Sequence, residues 1–272
     1  MKLLVHIHLY YQDQIDFFLQ KLQNITIPYD VIFTITDDNE QIRNVIMHKL
    51  PFATILVVKN IGYDIYPFIL AMQQFDLDKY EYILKLHTKN YRSDSIPINH
   101  LHYCGWEWRD DLINSLIGKK CYFRKALRKI SDKKNGLVCS GNFIFYKEDV
   151  SNREFTKKIC ADYGMPYRDD CLYCAGTMFL CRADIIRYVV KKRVFSDNDF
   201  VQNEYKTAMY GTFSHAMEYM FGAFCQHLGY RIVGVYSGKT FFKCVQMCVK
   251  ALVHKDLRVY LSERFRHHFY NN

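Results

Sequence analysis

The first ninety residues alternate between short apolar runs and amphipathic segments. Residues 2–10 read as a strand. Residues 13–22 carry Ile15, Phe18, Leu19 and Leu22 at helical spacing, which predicts a helix with one buried face. A second strand over 29–36 stops at Asp37, Asp38 and Asn39. A helix over 40–50 ends at Pro51, which cannot continue it. A strand over 54–58, a helix over 66–74 and a strand over 82–86 complete a β-α-β-α-β-α-β series. That order implies an α/β fold with a mostly parallel central sheet, right-handed crossovers and flanking helices.

Beyond residue 90 the alternation breaks. Residues 92–99 read as a polar loop, 106–116 and 123–130 as helices, 136–146 as a strand region and 152–163 as a helix. The small residues Ala175, Gly176 and Thr177 form a turn before a strand over 178–181. Arg182 and Ala183 follow, then a helix from Asp184. Thr212 or Ser214 can cap a helix whose first turns carry His215 and Glu218. There is no internal repeat, low-complexity stretch or flexible linker. The chain divides into a main domain over 1–237 and a helical, basic extension over 238–272.

Two neighbouring strands end in polar clusters. Lys59, Asn60, Gly62 and Asp64 follow the third, and His87, Thr88, Lys89 and Asn90 follow the fourth. Ligands of open α/β sheets bind at this carboxyl edge. Neither a GxGxxG nor a GxxxxGK[ST] opens a helix, so the usual dinucleotide and P-loop sites are not expected.

Half of the 272 residues are hydrophobic and 16% aromatic, enough for a substantial core. The 22 Tyr and 20 Phe can serve that core or line a wet pocket. The net charge of +9 is uneven. From Lys239 onward, seven Lys/Arg oppose Asp256 and Glu263, so +5 of the +9 lies in the extension. Such a tail fits an anionic partner, or it is simply a solvated basic helix. Phe241, Phe242, Val245, Val249 and Leu252 recur among these charges at near-helical spacing. The stripe either lies on an anionic membrane surface or packs against the sheet domain.

The ten cysteines are scattered and mostly flanked by apolar residues, as for free buried thiols. Cys171 and Cys174 form a CxxC, but no second pair completes four zinc ligands. No apolar run approaches the roughly 20 residues of a membrane span. The N-terminal segment reads as a strand rather than a secretory signal. A cytoplasmic protein is therefore expected, peripheral on the inner face of the membrane if the tail binds there. A nucleic-acid partner is not expected, because no RNP, KH or helix-turn-helix signature appears.

Four segments carry a family resemblance: NIGYDIYPF (60–68), LKLHTK (84–89), AGTMFLCRADII (175–186) and SHAMEYM (214–220). In order and spacing they resemble the rhamnan synthesis protein F family of bacterial glycosyltransferases, and the opening VHIHLYY also fits. The resemblance covers about residues 3–235. It implies a GT-A-like, Rossmann-type domain that binds a nucleotide sugar. It further implies transfer of a deoxyhexose, typically L-rhamnose from dTDP-L-rhamnose, onto a glycan or lipid-linked acceptor. Tyr63 and Tyr219 stand where the family commonly has arginine.

In a GT-A domain the fourth strand usually ends in Asp-x-Asp, which holds a divalent metal against the diphosphate. Here it ends in His87-Thr88-Lys89. No metal cofactor is therefore expected, Mg²⁺ or Mn²⁺ being the ions such a site would take. Lys89, with Arg182 or His87, would neutralise the leaving diphosphate instead. Asp37 and Asp38 either meet the base or ribose or cap the next helix. Asn60 and Asp64 flank Gly62, whose freedom at positive φ lets backbone approach a ligand. Asp64 binds the donor or caps a helix. Inverting transfer needs a base, and Glu218 and His215 are the candidates on one helix face. Glu218 has an alternative as an ion pair with Arg182. Gly176, Thr177 and Trp106 are placed on the acceptor side, with Trp106 and Trp108 able to stack on sugars or pack in the core. A non-catalytic GT-A-like scaffold and a nucleic-acid-binding protein are the competing readings.

Overall fold

A computed structural model describes residues 2–91, 96–98, 101–146, 149–201 and 211–253. In chain order the elements are β1 (Leu3–His8), α1 (Ile15–Leu22), β2 (Tyr29–Ile35), α2 (Glu40–Lys49), β3 (Thr54–Val57), α3 (Ile65–Gln74) and β4 (Tyr82–His87). Then come β5 (Ile96–Ile98), β6 (Leu101–Tyr103), α4 (Gly105–Ile117), α5 (Lys120–Ser131), β7 (Asn135–Ser140), β8 (Ile144–Tyr146) and α6 (Arg153–Tyr163). The chain continues with β9 (Leu172–Cys174), β10 (Phe179–Arg182), α7 (Ala183–Lys192), α8 (Asp197–Phe200), α9 (Phe213–His227), β11 (Arg231–Val235) and α10 (Gly238–Val253).

Seven strands form one sheet in the order β11-β7-β10-β4-β1-β2-β3. β1 pairs in parallel with both β2 and β4, and β2 with β3. β10 alone is reversed, antiparallel to β4 and to β7. The sheet is thus mostly parallel, as the alternating pattern implies. β1, β4 and β7 are buried along their whole length, which explains why they read as continuous apolar runs.

The sheet separates two cores. On one side Phe68 and Met72 of α3, Ile185 of α7 and Met217 of α9 pack together. On the other, Phe18 of α1 meets Leu112 of α4 and Phe123 of α5. β4 serves both, sending Ile83 to the first core and Leu84 and Leu86 to the second. Lys85 and His87 share the face of Ile83, by the two-residue period of a strand.

The structure departs from the sequence reading in several places. Within the expected polar loop over 92–99, Ile96–Ile98 is a strand that pairs with Leu101–Tyr103; the side chains there alternate too briefly to signal it. The strand region over 136–146 is split by a 3-10 turn at Gly141–Phe143. α8, β9 and β11 carry no expectation from sequence. The helix α10 begins at Gly238, and the extension beyond Val253 lies outside the described residues.

Candidate active site

Because every strand of the sheet but β10 runs one way, the carboxyl ends of β1 and β4 open together on one edge. His8 and His87 end these strands side by side in register. β10 runs the other way, so its entrance, the turn Gly176–Thr177, arrives at the same edge. A cleft of about 760 Å³ lies there. His8, Asp64, His87, Lys89, Trp108, Thr177, His215 and Glu218 are among the residues that line it.

Its floor is a buried charge pair. Lys85, with no exposed side-chain surface, donates to the Asp64 carboxylate. The same ammonium donates to the Thr177 carbonyl at 3.1 Å and to the Thr177 hydroxyl at 3.0 Å. The Thr177 hydroxyl in turn donates to Asp64. Burial alone would raise the Asp64 carboxyl; the adjoining His87 ring and Lys85 ammonium hold it well below the usual carboxylate range. His87 Nδ1 stands 3.2 Å from Asp64 Oδ2. Burial pushes the His87 ring well below its ordinary value.

Two turns of left-handed backbone flank this pair. Gly62 has φ +74° and Tyr63 +51°; Gly176 has φ +85° and Thr177 +47°. A β-branched residue at positive φ is strained by about 1–3 kcal/mol. At Thr177 the three hydrogen bonds of the Asp64–Lys85 cluster offset that strain. Gly62 is sterically required, because a Cβ there would stand 2.4 Å from the Tyr66 Cβ. At Gly176 the left-handed φ is what favours glycine, and a Cβ would also crowd Leu112 Cδ1 at 2.9 Å.

Lys89 differs from Lys85 in having its charge uncommitted. Its Nζ lies 3.7 Å from the centroid of the Trp108 ring, and among the described residues it makes no ion pair. Burial lowers it from its ordinary value, an effect opposed by the charges of Asp64 and Glu218. The loop that presents it is tied down from behind. The Tyr11 N–H donates to the Thr88 hydroxyl at 3.1 Å, and Gln14 donates to the Lys89 carbonyl. Arg109 holds Gln14 in turn at 3.0 Å.

Glu218 projects from α9, and one of its oxygens accepts the Gly176 N–H. Burial pushes its carboxyl up, with Asp64 adding to the shift and the two lysines opposing it. His215, one turn earlier, has its Nδ1 2.8 Å from the hydroxyl of Thr212, the residue that caps the helix. Its ring faces Tyr63 at 5.6 Å. Burial lowers it from its ordinary value.

The structure therefore brings Asn60, Asp64, His87, Lys89, Gly176, Thr177, His215 and Glu218 to one cleft. Gly62 shapes the turn from beneath it. Asp64 does not cap α3 through its side chain, which is turned to Lys85 instead. Three expectations are corrected. Arg182 ends β10 opposite Tyr82, at the far edge of the sheet. Its guanidinium donates to the carbonyls of Ile130, Asp132 and Asn135, so it reaches neither a diphosphate nor Glu218. Asp37 and Asp38 lie outside the cleft; Asp38 pairs with Arg43, and Asn39 is the residue that caps α2. Trp106 is 40% exposed on α4 and is not among the residues that line the cleft, whereas Trp108, two positions on and so on another face of the helix, lines it and covers Lys89.

Lys85, Gln14 and Arg109 carry no role in the sequence reading. Lys85 had a signal: a lysine inside the buried run YILKLH must find a partner. Gln14 and Arg109 had none. Tyr219, one of the two positions that depart from the family, is buried. Its hydroxyl donates to the Arg168 carbonyl and accepts from the Cys171 N–H. It belongs to the core, whereas Tyr63 is in the cleft.

Among the described residues no group of three or more His, Cys, Asp or Glu is placed to hold a metal ion. At the end of β4 the donor set is a neutral imidazole, a hydroxyl and an ammonium. The nearest carboxylate, Asp64, is already bonded to Lys85. These residues do not fit the divalent ion of a GT-A domain.

The family model for rhamnan synthesis protein F matches residues 1–230. No curated protein sequence matches the chain. Among solved structures, S. aureus TarS residues 1–349 aligns with a TM-score of 0.43 and 15% identity, over 93% of this chain and 66% of that one. The same fragment in complex with UDP gives 0.42 and 15%, over 91% and 64%. Mouse xyloside xylosyltransferase 1, in its apo form, gives 0.35 and 8%, over 86% and 85%. The chain spans less than two thirds of the length of these TarS structures.

Proposed function

The chain belongs to the rhamnan synthesis protein F family, and from that premise we propose that it moves a deoxyhexose, L-rhamnose from a dTDP donor, onto a growing surface glycan or its lipid-linked precursor, with inversion and without a divalent metal. The observation that carries this reading is the ammonium of Lys89, which makes no ion pair among the described residues and lines, with Asp64 and Glu218, a cleft of small-molecule size. The donor diphosphate lies against Lys89. An orphaned donor supports an oxygen-rich ligand: the buried Trp108 N–H has no partner among the described residues. Tyr10, Tyr11 and Tyr63 supply aromatic faces for a base or sugar ring.

In the transfer step the acceptor hydroxyl attacks the anomeric carbon from the face opposite the diphosphate. The new carbon–oxygen bond forms as the bond to the phosphate oxygen breaks. The hydroxyl proton passes to Glu218, and the bonding electron pair leaves with dTDP, whose added charge Lys89 neutralises. Glu218 is the better base of the two candidates. Its raised carboxyl holds a proton more strongly than an ordinary one, and among the described residues only one of its oxygens is bonded. His215 has its Nδ1 tied to the Thr212 hydroxyl and lines the cleft.

A thermal-shift series over nucleotide sugars, followed by turnover with and without EDTA, tests the proposal. dTDP-L-rhamnose is expected to give the largest upward shift, and EDTA to leave turnover nearly unchanged. Loss of about a hundredfold in EDTA, restored by Mn²⁺, would overturn the metal-free mechanism. No shift with any nucleotide sugar would overturn the donor assignment.

A further inference from the structure

Two surfaces of opposite character lie on the α4 side of the sheet. The first is on α5. Lys120, Arg124 and Arg128 repeat every fourth residue and are exposed, with Lys119, Lys129 and Lys133 beside them. Among the described residues none of these six makes an ion pair. The opposite face of the helix, with Phe123, Ala126 and Ile130, is in the core. The second surface is on α10. Phe241, Phe242, Val245 and Val249 are 59%, 63%, 44% and 53% exposed. At 100° per residue they fall within an arc of about 100°.

The orientation of α10 is inverted from that of an ordinary surface helix. Its apolar stripe faces out while Lys243 faces in, near Glu107 and Asp111 at 3.7 Å each and over the Tyr103 ring at 4.0 Å. Thr240 is likewise inside, hydrogen-bonded to Ser115 at 3.1 Å and to Asn142 through its carbonyl at 2.8 Å. The helix is thus fixed to the domain by its polar side. Its first residue reaches the first turn of α5, where the Gly238 N–H donates to the Tyr122 hydroxyl at 3.0 Å.

We propose that α10 and α5 together dock the protein on an anionic lipid bilayer, the apolar stripe of α10 entering the headgroup boundary and the α5 cations lying over the phosphates. An exposed apolar stripe alone would fit a second copy of the chain. The neighbouring unpaired cations favour lipid, since two copies would bring like charges together. No helix among the described residues is long and apolar enough to cross a membrane. The usefulness of the surface rests on the transfer reading above. α10 runs antiparallel to α4, from Ser115 beside Thr240 to Glu107 beside Lys243. That direction leads to Gly105 and Trp108 at the cleft, where a lipid-linked acceptor would enter.

Co-sedimentation of the full chain with vesicles tests the proposal. One set is phosphatidylcholine alone, the other equal parts phosphatidylcholine and phosphatidylglycerol. Binding is expected only to the anionic set and is expected to fall as salt rises. The double variants Phe241→Ser/Phe242→Ser and Arg124→Glu/Arg128→Glu should each weaken it about tenfold or more. Both alter exposed positions, and an unchanged thermal midpoint confirms that they fold. Protein left in the supernatant with anionic vesicles at low salt would overturn the proposal. So would equal binding to both vesicle types, or binding unaffected by either variant. A dimer in light scattering that Phe241→Ser/Phe242→Ser converts to monomer, without vesicle binding, would give the surface to a second copy. Sedimentation needs neither donor nor acceptor, so its failure is read separately from any failure of glycosyl transfer.

Discussion

Lys85 and Asp64 form an ion pair at the base of the cleft, the lysine fully enclosed within β4 and the carboxylate at the start of α3. The pair joins two elements 21 residues apart in sequence and fixes the Gly176–Thr177 turn through Thr177. Lys89, two positions beyond the strand end, makes no ion pair among the described residues and lies over the Trp108 ring instead.

Removing one member of such a pair leaves a buried charge without compensation. Lys85→Met is expected to destabilise the fold by about 3–5 kcal/mol. Lys85→Met/Asp64→Asn is expected to cost less than the sum of the single changes, because the two sites are coupled. Urea denaturation of all four proteins checks this; strictly additive losses would mean that the pair contributes nothing as a pair.

Stability is expected to fall as pH drops from 6.5. His8 is buried with its ring bonded to Thr34 at 3.0 Å, and burial lowers it from 6.5 to about 4. Between these values the unfolded chain binds a proton that the folded chain refuses, so unfolding gains on acidification and stability rises with pH. The loss across that window is on the order of 3 kcal/mol from His8 alone. His6 and His87, also lowered by burial, act in the same direction. His8→Asn should flatten the thermal midpoint between pH 6.5 and 4; an unchanged slope would remove His8 from the explanation.

Lys89→Ala is expected to lower kcat by roughly 10²-fold, the loss typical of one electrostatic stabiliser. The thermal midpoint should change little, since the residue gives up one cation–π contact and no ion pair among those described. Full turnover in this variant would leave the leaving group without its proposed counter-charge.

Arg182→Ala is expected to do the reverse. The side chain holds three backbone carbonyls at the far edge of the sheet, so its loss should cost about 1–3 kcal/mol of stability. Turnover per folded molecule should stay at the wild-type level. A drop in kcat without a drop in stability would place Arg182 back at the donor.

Thr177 and Arg182 also show how far the sequence could be read. Both belong to one motif, AGTMFLCRADII, and both were legible as functional candidates. Only one reaches the cleft, because β10 is reversed and its two ends lie at opposite edges of the sheet. Residue pattern gives a strand but not its direction. The first four strands were legible because their apolar runs alternate with helices whose buried faces recur every three to four residues. The site at their carboxyl edge followed from the polar ends of β3 and β4. Trp106 and Trp108 could not be told apart, since two positions on a helix differ by about 200° and only packing decides which faces inward. Asp37 and Asp38 end a strand on the correct edge but beyond the cleft, on the side of the sheet that β1 separates from β4.

The most direct test of the transfer reading is the turnover of Glu218→Gln beside that of the wild type, with donor affinity measured on both. Glutamine keeps the shape and can still accept the Gly176 N–H, but it takes no proton. Expected are donor binding close to wild type and a kcat lower by about 10²–10⁴-fold, with the acid limb of the wild-type pH profile lying above the ordinary carboxylate range because burial raises Glu218. Turnover within about threefold of wild type, from a variant that binds donor normally, would contradict the assignment of Glu218 as the base.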